Sequence, residues 1–257
     1  MESVEALGQD SLRRAVLAAG IDAEPRWLDE TGSTNTDALE LAEAAAPEWT
    51  VVATGHQTAG RGRLGRSWAD VPGSSLLVSV LLRPRLEPAR APLLSLLAAV
   101  AMAQASGVSH IRSKWPNDLV VGERKVGGIL AEAVVSNSSL RHVVIGTGVN
   151  LTAPGLPTAT GIVEEGGDPR AEGILTRYLQ TMKAEYGHAD LPDRVVYAYS
   201  LLCSTLGRRV RAERSGGEAI EGLATGLDER GGLVVDTSDG TRTLSFGEVT
   251  HLRRAER

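Results

Sequence analysis

The chain has 257 residues, of which 42% are apolar and 23% charged, enough for one large domain plus a small one. A net charge of −5 argues against a protein whose whole surface binds nucleic acid, and a single cysteine, Cys203, excludes an internal disulfide framework and any cysteine-based zinc finger. No apolar run approaches the ~18 residues that cross a bilayer, no secretory signal opens the chain, and the five histidines lack H-x-x-x-H spacing. A soluble protein of the reducing cytoplasm, without a membrane partner or a dedicated metal site, is the expectation.

In chain order, residues 10–20 read as a short helix ending at Gly20, and Thr31-Gly-Ser-Thr-Asn35 supplies capping residues for a second helix over 37–46, stopped by Pro47. Strands are predicted at 50–54 and 75–82, with a Gly- and Arg-rich loop of some twenty residues between them. A nearly continuous apolar helix over 92–105 is fit for burial against a sheet. Strand-like runs follow at 118–121, 126–135 and 141–149, punctuated by turns at 122–125 and 136–139. A Pro- and Gly-rich loop then leads to helices near 170–187 and 193–205. Strands and helices mix without regular βαβ alternation, which predicts an α+β fold with a mainly antiparallel sheet over 1–205. From Leu206 short alternating runs separated by Gly and Asp turns predict a small barrel over 206–257.

Of the 27 basic residues only three are lysines, Lys114, Lys125 and Lys183, and two of them bound the run Lys114-Trp-Pro-Asn-Asp-Leu-Val-Val-Gly-Glu-Arg-Lys125. A chain that otherwise uses Arg has reason to keep a compact ammonium there, since it is not interchangeable with a planar fork. A second concentration of charge lies in His56-Gln-Thr-Ala-Gly-Arg-Gly-Arg-Leu-Gly-Arg-Ser-Trp68, an exposed stretch with three arginines and no acid. Gly60, Gly62 and Gly65 satisfy G-x-G-x-x-G literally, but no helix pattern follows, and the dinucleotide reading needs strand–turn–helix. A P-loop is absent, because the chain contains no Gly-Lys dipeptide. A solvated basic loop and an Arg–Gly segment for single-stranded nucleic acid are the other readings. The sharpest is an anion clamp, in which glycines admit backbone N–H groups to phosphate oxygens and Arg61, Arg63 and Arg66 supply bidentate charge; such a loop should order around its ligand. Further on, Lys125-Val-Gly-Gly-Ile-Leu130 alternates as a strand whose paired glycines let a ligand lie on the backbone or mark a β-bulge. Ile145-Gly-Thr-Gly-Val-Asn150 is a strand ending in an amide.

Thr31-Gly-Ser-Thr-Asn35, Gln57 through Trp68, Lys114-Trp-Pro-Asn-Asp118 with Lys125 and Gly127-Gly128, and Gly146-Thr-Gly-Val-Asn150, in this order and spacing, resemble the biotin–protein ligase family from about residue 28 to the C-terminus. The resemblance implies a catalytic core related to class II aminoacyl-tRNA synthetases followed by an SH3-like barrel. It implies an enzyme that activates biotin with ATP and Mg2+ as biotinyl-5'-AMP. The biotinyl group then passes to a lysine of a biotin carboxyl carrier domain of an acyl-CoA carboxylase. It places Ser33, Thr34, Asn35, Gln57, the backbone of Arg61-Gly62-Arg63, Lys125, Gly127 and Gly128 around biotin. Arg63, Arg66, Trp68, Lys125 and Asn150 fall on the ATP side, and Arg63, Lys125 and Asp118 in the chemistry, with Lys114 in support. Monomers and homodimers both fit. Fewer than thirty-five residues precede Thr31, too few for an independent winged-helix core, and residues 207–257 hold nine Arg against nine Asp or Glu, so no DNA binding is expected. The rivals are a lipoate–protein ligase-like acyl transferase and, from another class, a nucleic-acid-binding module, whose affinity would fall steeply with salt.

Overall fold

The computed structural model of the protein describes residues 4–188, 191–213, 219–245 and 248–251. Helices α1 (Gln9–Ala18), α2 (Thr34–Glu43), α3 (Pro92–Ala105), α4 (Ala171–Tyr186) and α5 (Leu191–Leu202) accompany a first sheet of seven strands. These are β1 (Arg26–Leu28), β2 (Val51–Thr54), β3 (Ser75–Leu82), β4 (Arg112–Lys114), β5 (Asp118–Val121), β6 (Arg124–Ser136) and β7 (Ser139–Asn150). Their order is β1-β2-β3-β7-β6-β5-β4, with only β1–β2 parallel, so the fold is α+β with a mainly antiparallel sheet. Strands β8 (Arg209–Glu213), β9 (Ile220–Leu227), β10 (Leu233–Thr237), β11 (Gly240–Leu244) and β12 (Glu248–His251) form a second, antiparallel sheet in the order β11-β10-β9-β8-β12. Part of the barrel expected over 206–257, residues 214–218, 246–247 and 252–257, lies outside the described residues.

Period-2 alternation sorts the first sheet into two faces. Val51 and Ala53 of β2, Leu76, Val78 and Val80 of β3, and Val143, Ile145 and Val149 of β7 join α1, α3, α4 and α5 in the main core. Val52, Leu81 and Val144 point the other way, into a small cluster with Ala38 and Ala42 of α2. Because α2 covers only part of that second face, the rest of it is open for a site.

Helix α3 corrects one expectation. Residues Pro88–Ala105 do form an 18-residue segment long and apolar enough, by composition, to cross a membrane, and 67% of it is buried within the fold. It is the core helix of the sheet's closed face: Leu93, Leu94, Leu97 and Met102 have almost no exposed surface. Two short strands, β1 and β4, and β12 of the second sheet were not expected from the sequence. Helix α2 begins at Thr34, three residues early, because Ser33 takes the extended N-cap conformation at φ −163°.

The two sheets meet around Trp115. Its backbone N–H donates to Thr205 Oγ1 at 3.0 Å and its indole N–H to the Gly231 carbonyl at 2.9 Å. Gly231 sits at φ +80°, a left-handed conformation that favours glycine, and a Cβ there would crowd Leu96 Cδ1 of α3 at 2.6 Å.

On the second face His142 is fully buried with neither ring nitrogen hydrogen-bonded, 3.8 Å from the Glu43 carboxylate. Burial pushes its pKa below 6.5; Glu43 partly offsets this, while Arg83 and Arg141 reinforce it. A lowered histidine pKa favours the neutral ring in the folded state, so its contribution to stability is complete above about pH 6.5 and is lost as pH falls below that value toward the folded-state pKa. The melting temperature should therefore fall between pH 7.5 and 5.5, and the fall should be smaller in His142→Leu; equal falls in thermal melts would contradict this.

Candidate active site

The open part of the second face is built in register rows across the sheet. Lys114 pairs with Asp118, Asp118 with Gly128, Gly128 with Gly148, and Gly148 with Leu77. The next row joins Leu130, Gly146 and Ser79, and the one after it Glu132, Val144 and Leu81. Gly128, Gly146 and Gly148 thus form a bare floor at the centre, walled by longer side chains. A Cβ on Gly148 would lie 2.9 Å from Trp68 Cε2, and one on Gly146 would overlap Asn35 Oδ1. Both glycines are fixed by what lies against them.

Lys125 reaches this floor through a β-bulge. Residues 125 and 128 differ by three, so simple alternation would put them on opposite faces. The β5–β6 register shifts between Leu119 and Val120, opposing Gly127 and Lys125 respectively, and leaves Val126 as an extra residue buried in the main core. The Lys125 ammonium then donates to Asp118 Oδ1 at 2.6 Å and stands 5.7 Å from the centroid of the Trp68 ring. Its backbone is held by the 158–160 segment, with Lys125 N–H donating to the Thr158 carbonyl at 2.8 Å and Thr160 N–H to the Lys125 carbonyl at 2.9 Å.

At the other end, Ser33, Thr34 and Asn35 are buried at the start of α2. Gln57 Oε1 accepts from Thr34 N–H at 2.9 Å and from Thr34 Oγ1 at 3.2 Å. Ser79 Oγ donates to Asn35 Oδ1 at 2.6 Å. Asn35 Nδ2 donates to the Leu130 carbonyl at 3.2 Å and to Glu132 Oε2 at 2.8 Å.

The Gly/Arg segment folds back on itself as a small hairpin over the cleft. Trp68 N–H donates to the Gly60 carbonyl at 2.8 Å, and Gly62 N–H to the Arg66 carbonyl at 2.7 Å. Arg63 starts a short 3-10 turn at the tip, and its Nη1 lies 3.4 Å from Asn117 Oδ1. Asn117 is itself pinned to β6, its side-chain amide donating to the Ile129 carbonyl at 2.9 Å while its own carbonyl accepts from Ile129 N–H at 2.9 Å. The segment was expected to be exposed. Leu64 is 56% exposed, but Arg63 is half-buried, and burial pushes its guanidinium pKa down, with Asp118 offsetting part of the shift. The Trp68 indole N–H is buried without a hydrogen-bond partner, a donor suited to a ligand acceptor.

One cleft gathers almost all the residues the sequence singles out. Ser33, Thr34, Asn35 and Gln57 line one end; Arg61, Gly62, Arg63, Arg66 and Trp68 line the hairpin side; Lys114, Asp118, Lys125 and Gly128 line the other end. Two residues fall outside it. Gly127 lies on the opposite face of β6, where a Cβ would meet Val149 Cγ2 at 2.9 Å, and the Asn150 amide donates to the Thr160 carbonyl at 3.1 Å. Sequence reading gave no role to Ser79, Leu130 or Glu132, whose positions the strand register reveals, nor to Asn117 between β4 and β5. Among the described residues no group of three His, Cys, Asp or Glu side chains converges on a metal position.

Residues 27–150 match the biotin/lipoate A/B protein ligase family and residues 205–252 the biotin protein ligase C-terminal domain. The chain is 35% identical to the biotin--[acetyl-CoA-carboxylase] ligase of Mycobacterium tuberculosis, over 96% of each chain. This chain belongs to the biotin protein ligase family. A second member, the bifunctional ligase/repressor BirA of Bacillus subtilis, is 33% identical over 87% of this chain and 72% of that protein. The biotin protein ligase of Aquifex aeolicus, solved in complex with biotin and ATP, superimposes with a TM-score of 0.69 at 27% identity, covering 89% of this chain and 98% of that one.

Proposed function

We propose that this ligase activates biotin with ATP to biotinyl-5'-AMP, then transfers the biotinyl group to a lysine of the biotin carboxyl carrier domain of an acyl-CoA carboxylase. The observation that carries this reading is the single cleft in which Arg63 and Lys125 converge on a glycine floor beside the buried Ser33–Asn35 and Gln57 end. The mycobacterial relative's name supports the acceptor, and the Aquifex complex supports biotin and ATP as substrates.

In the first step a biotin carboxylate oxygen attacks the α-phosphorus of ATP. The bond from that phosphorus to the α–β bridging oxygen breaks, and pyrophosphate leaves. An anion must meet a polyanion, and two like unit charges at 4 Å repel by about 4 kcal/mol at an effective dielectric near 20. We assign Lys125 to bridge the carboxylate and the α-phosphate. Asp118 holds its ammonium in place, and Arg63 takes the phosphate from the hairpin side. Partial burial strengthens the Arg63 field where charge develops. When bound with ATP, Mg2+ would offset the phosphate charge that Arg63 and Lys125 meet from the protein side. Ser33, Thr34, Asn35 and Gln57 hold the biotin rings in a pocket lined by Gly146 and Gly128. Arg66 and Trp68 belong to the nucleotide side, and Lys114 supports the phosphates.

In the second step the neutral ε-amine of the acceptor attacks the acyl carbon, the C–O bond to phosphate breaks, AMP leaves with its electron pair, and the nitrogen releases one proton to solvent as the amide forms. The hairpin over the cleft keeps water from the mixed anhydride between the steps. Residues 1–205 form the catalytic unit on a class II synthetase-like core and 206–257 an SH3-like barrel, whose balanced charge gives it no part in DNA binding. A reducing cytoplasm is the home proposed for the enzyme, in keeping with its single cysteine.

Exchange of labelled pyrophosphate into ATP tests this directly, with biotin, lipoate and octanoate in parallel. Exchange with biotin alone is the expected result. Exchange with lipoate instead would move the chain to the lipoate side of the family, and none with any acid would refute adenylation.

A further inference from the structure

The hairpin carrying Arg63 is tied to the sheet at its base by a residue with no assigned role. Glu132 lies on β6, on the same face as Gly128 and Leu130 and four residues beyond the glycine floor. Its Oε2 accepts from Arg61 Nη2 at 2.7 Å and from Asn35 Nδ2 at 2.8 Å. One carboxylate oxygen therefore joins the two halves of the cleft: the start of α2 and the hairpin. The Glu132 side chain is 26% exposed and that of Arg61 42%, so the link sits at the cleft's rim rather than in its core. Arg61 forms a bridge to Ser67 across the hairpin. Fixing Arg61 thus fixes both hairpin arms, and with them the tip at Arg63.

The geometry points to Glu132 as the latch of this hairpin: a positioning residue that holds the Arg61–Trp68 segment shut over the bound adenylate. The oxygen nearest Arg61 is also the one oriented by Asn35, whose own carbonyl oxygen is fixed by Ser79. The latch is therefore read out from the biotin end of the cleft as well as from the hairpin. Its effect on product retention rests on the adenylation reading above; its effect on the hairpin does not.

Glu132→Gln is the informative substitution. It preserves shape and an acceptor for Asn35 while removing the charge that holds Arg61. Trypsin cuts after arginine, so cleavage at Arg63 and Arg66 reports hairpin opening without any ligand. Cleavage should be three- to tenfold faster in Glu132→Gln and in Arg61→Gln. The double variant should be no faster than the faster single, because the two residues act through one contact. With biotin and ATP, release of biotinyl-5'-AMP from the single variants should rise by a similar factor. Unchanged cleavage in Glu132→Gln, or rates that multiply in the double variant, would overturn the latch. Faster cleavage with unchanged adenylate release would overturn its role in retention. Wild-type pyrophosphate exchange, run alongside, tests adenylation separately: without exchange that reading fails, while the cleavage rates still decide whether Glu132 closes the hairpin.

Discussion

Lys125→Ala is expected to lower the rate of biotin-dependent pyrophosphate exchange by roughly 100- to 1,000-fold, the usual cost of deleting one group that stabilises developing charge. The fold should survive. Lys125 and Asp118 keep 40% and 30% of their side-chain surface exposed, so the carboxylate left behind is hydrated rather than stranded. A melting temperature close to wild type, alongside the lost exchange, would separate chemistry from stability. Lys125→Arg should rescue little. The compact Lys125 ammonium donates to Asp118 Oδ1 at 2.6 Å, a point contact that a longer, planar fork does not reproduce. Exchange within a factor of three of wild type in Lys125→Ala would remove this residue from the mechanism.

Arg63→Ala should behave differently. Loss of a charge-assisted contact, worth roughly 1.5–3 kcal/mol, corresponds to about 10- to 100-fold faster escape of biotinyl-5'-AMP. Its hydrogen bond to Asn117 is long, at 3.4 Å, and Asn117 keeps two bonds to Ile129, so little of the scaffold depends on Arg63. A chase of preformed adenylate with unlabelled biotin measures the escape rate; a rate equal to wild type would contradict the assigned role. Together the two variants divide the cleft into a residue needed to make the adenylate and one needed to keep it.

Much of this was legible in the sequence because it is local. Helix α3 occupies the predicted 92–105 because its apolar run is nearly continuous, and β2 and β3 read correctly because Pro47 and the glycines bound them. The same locality explains the residues gathered in the cleft, which travel in contiguous motifs. What the sequence hid depends on pairing between distant strands. Strands β1 and β4 have three residues each, and only their partners β2 and β5 make them strands. Gly127 and Gly128 look equivalent on paper, yet register puts one against Val149 and the other in the cleft. The bulge that carries Lys125 to the open face is likewise invisible without the β5 register, and Glu132 reads as an ordinary strand carboxylate until Arg61 and Asn35 are seen beside it.

The junction at Trp115 bears on how the molecule comes apart. Val210, Ala212, Leu233 and Val235 of the second sheet belong to the same continuous core as α3 and the first sheet. With the indole of Trp115 bonded to Gly231 and Gly231 set against Leu96, detaching the described part of the C-terminal sheet would open apolar surface to water. Two segments that sequence reading separates are thus one cooperative unit in their energetics. Cutting the chain at residue 205 would leave an exposed wound at Trp115, directly beside the asparagine that orients Arg63, rather than a smaller ligase.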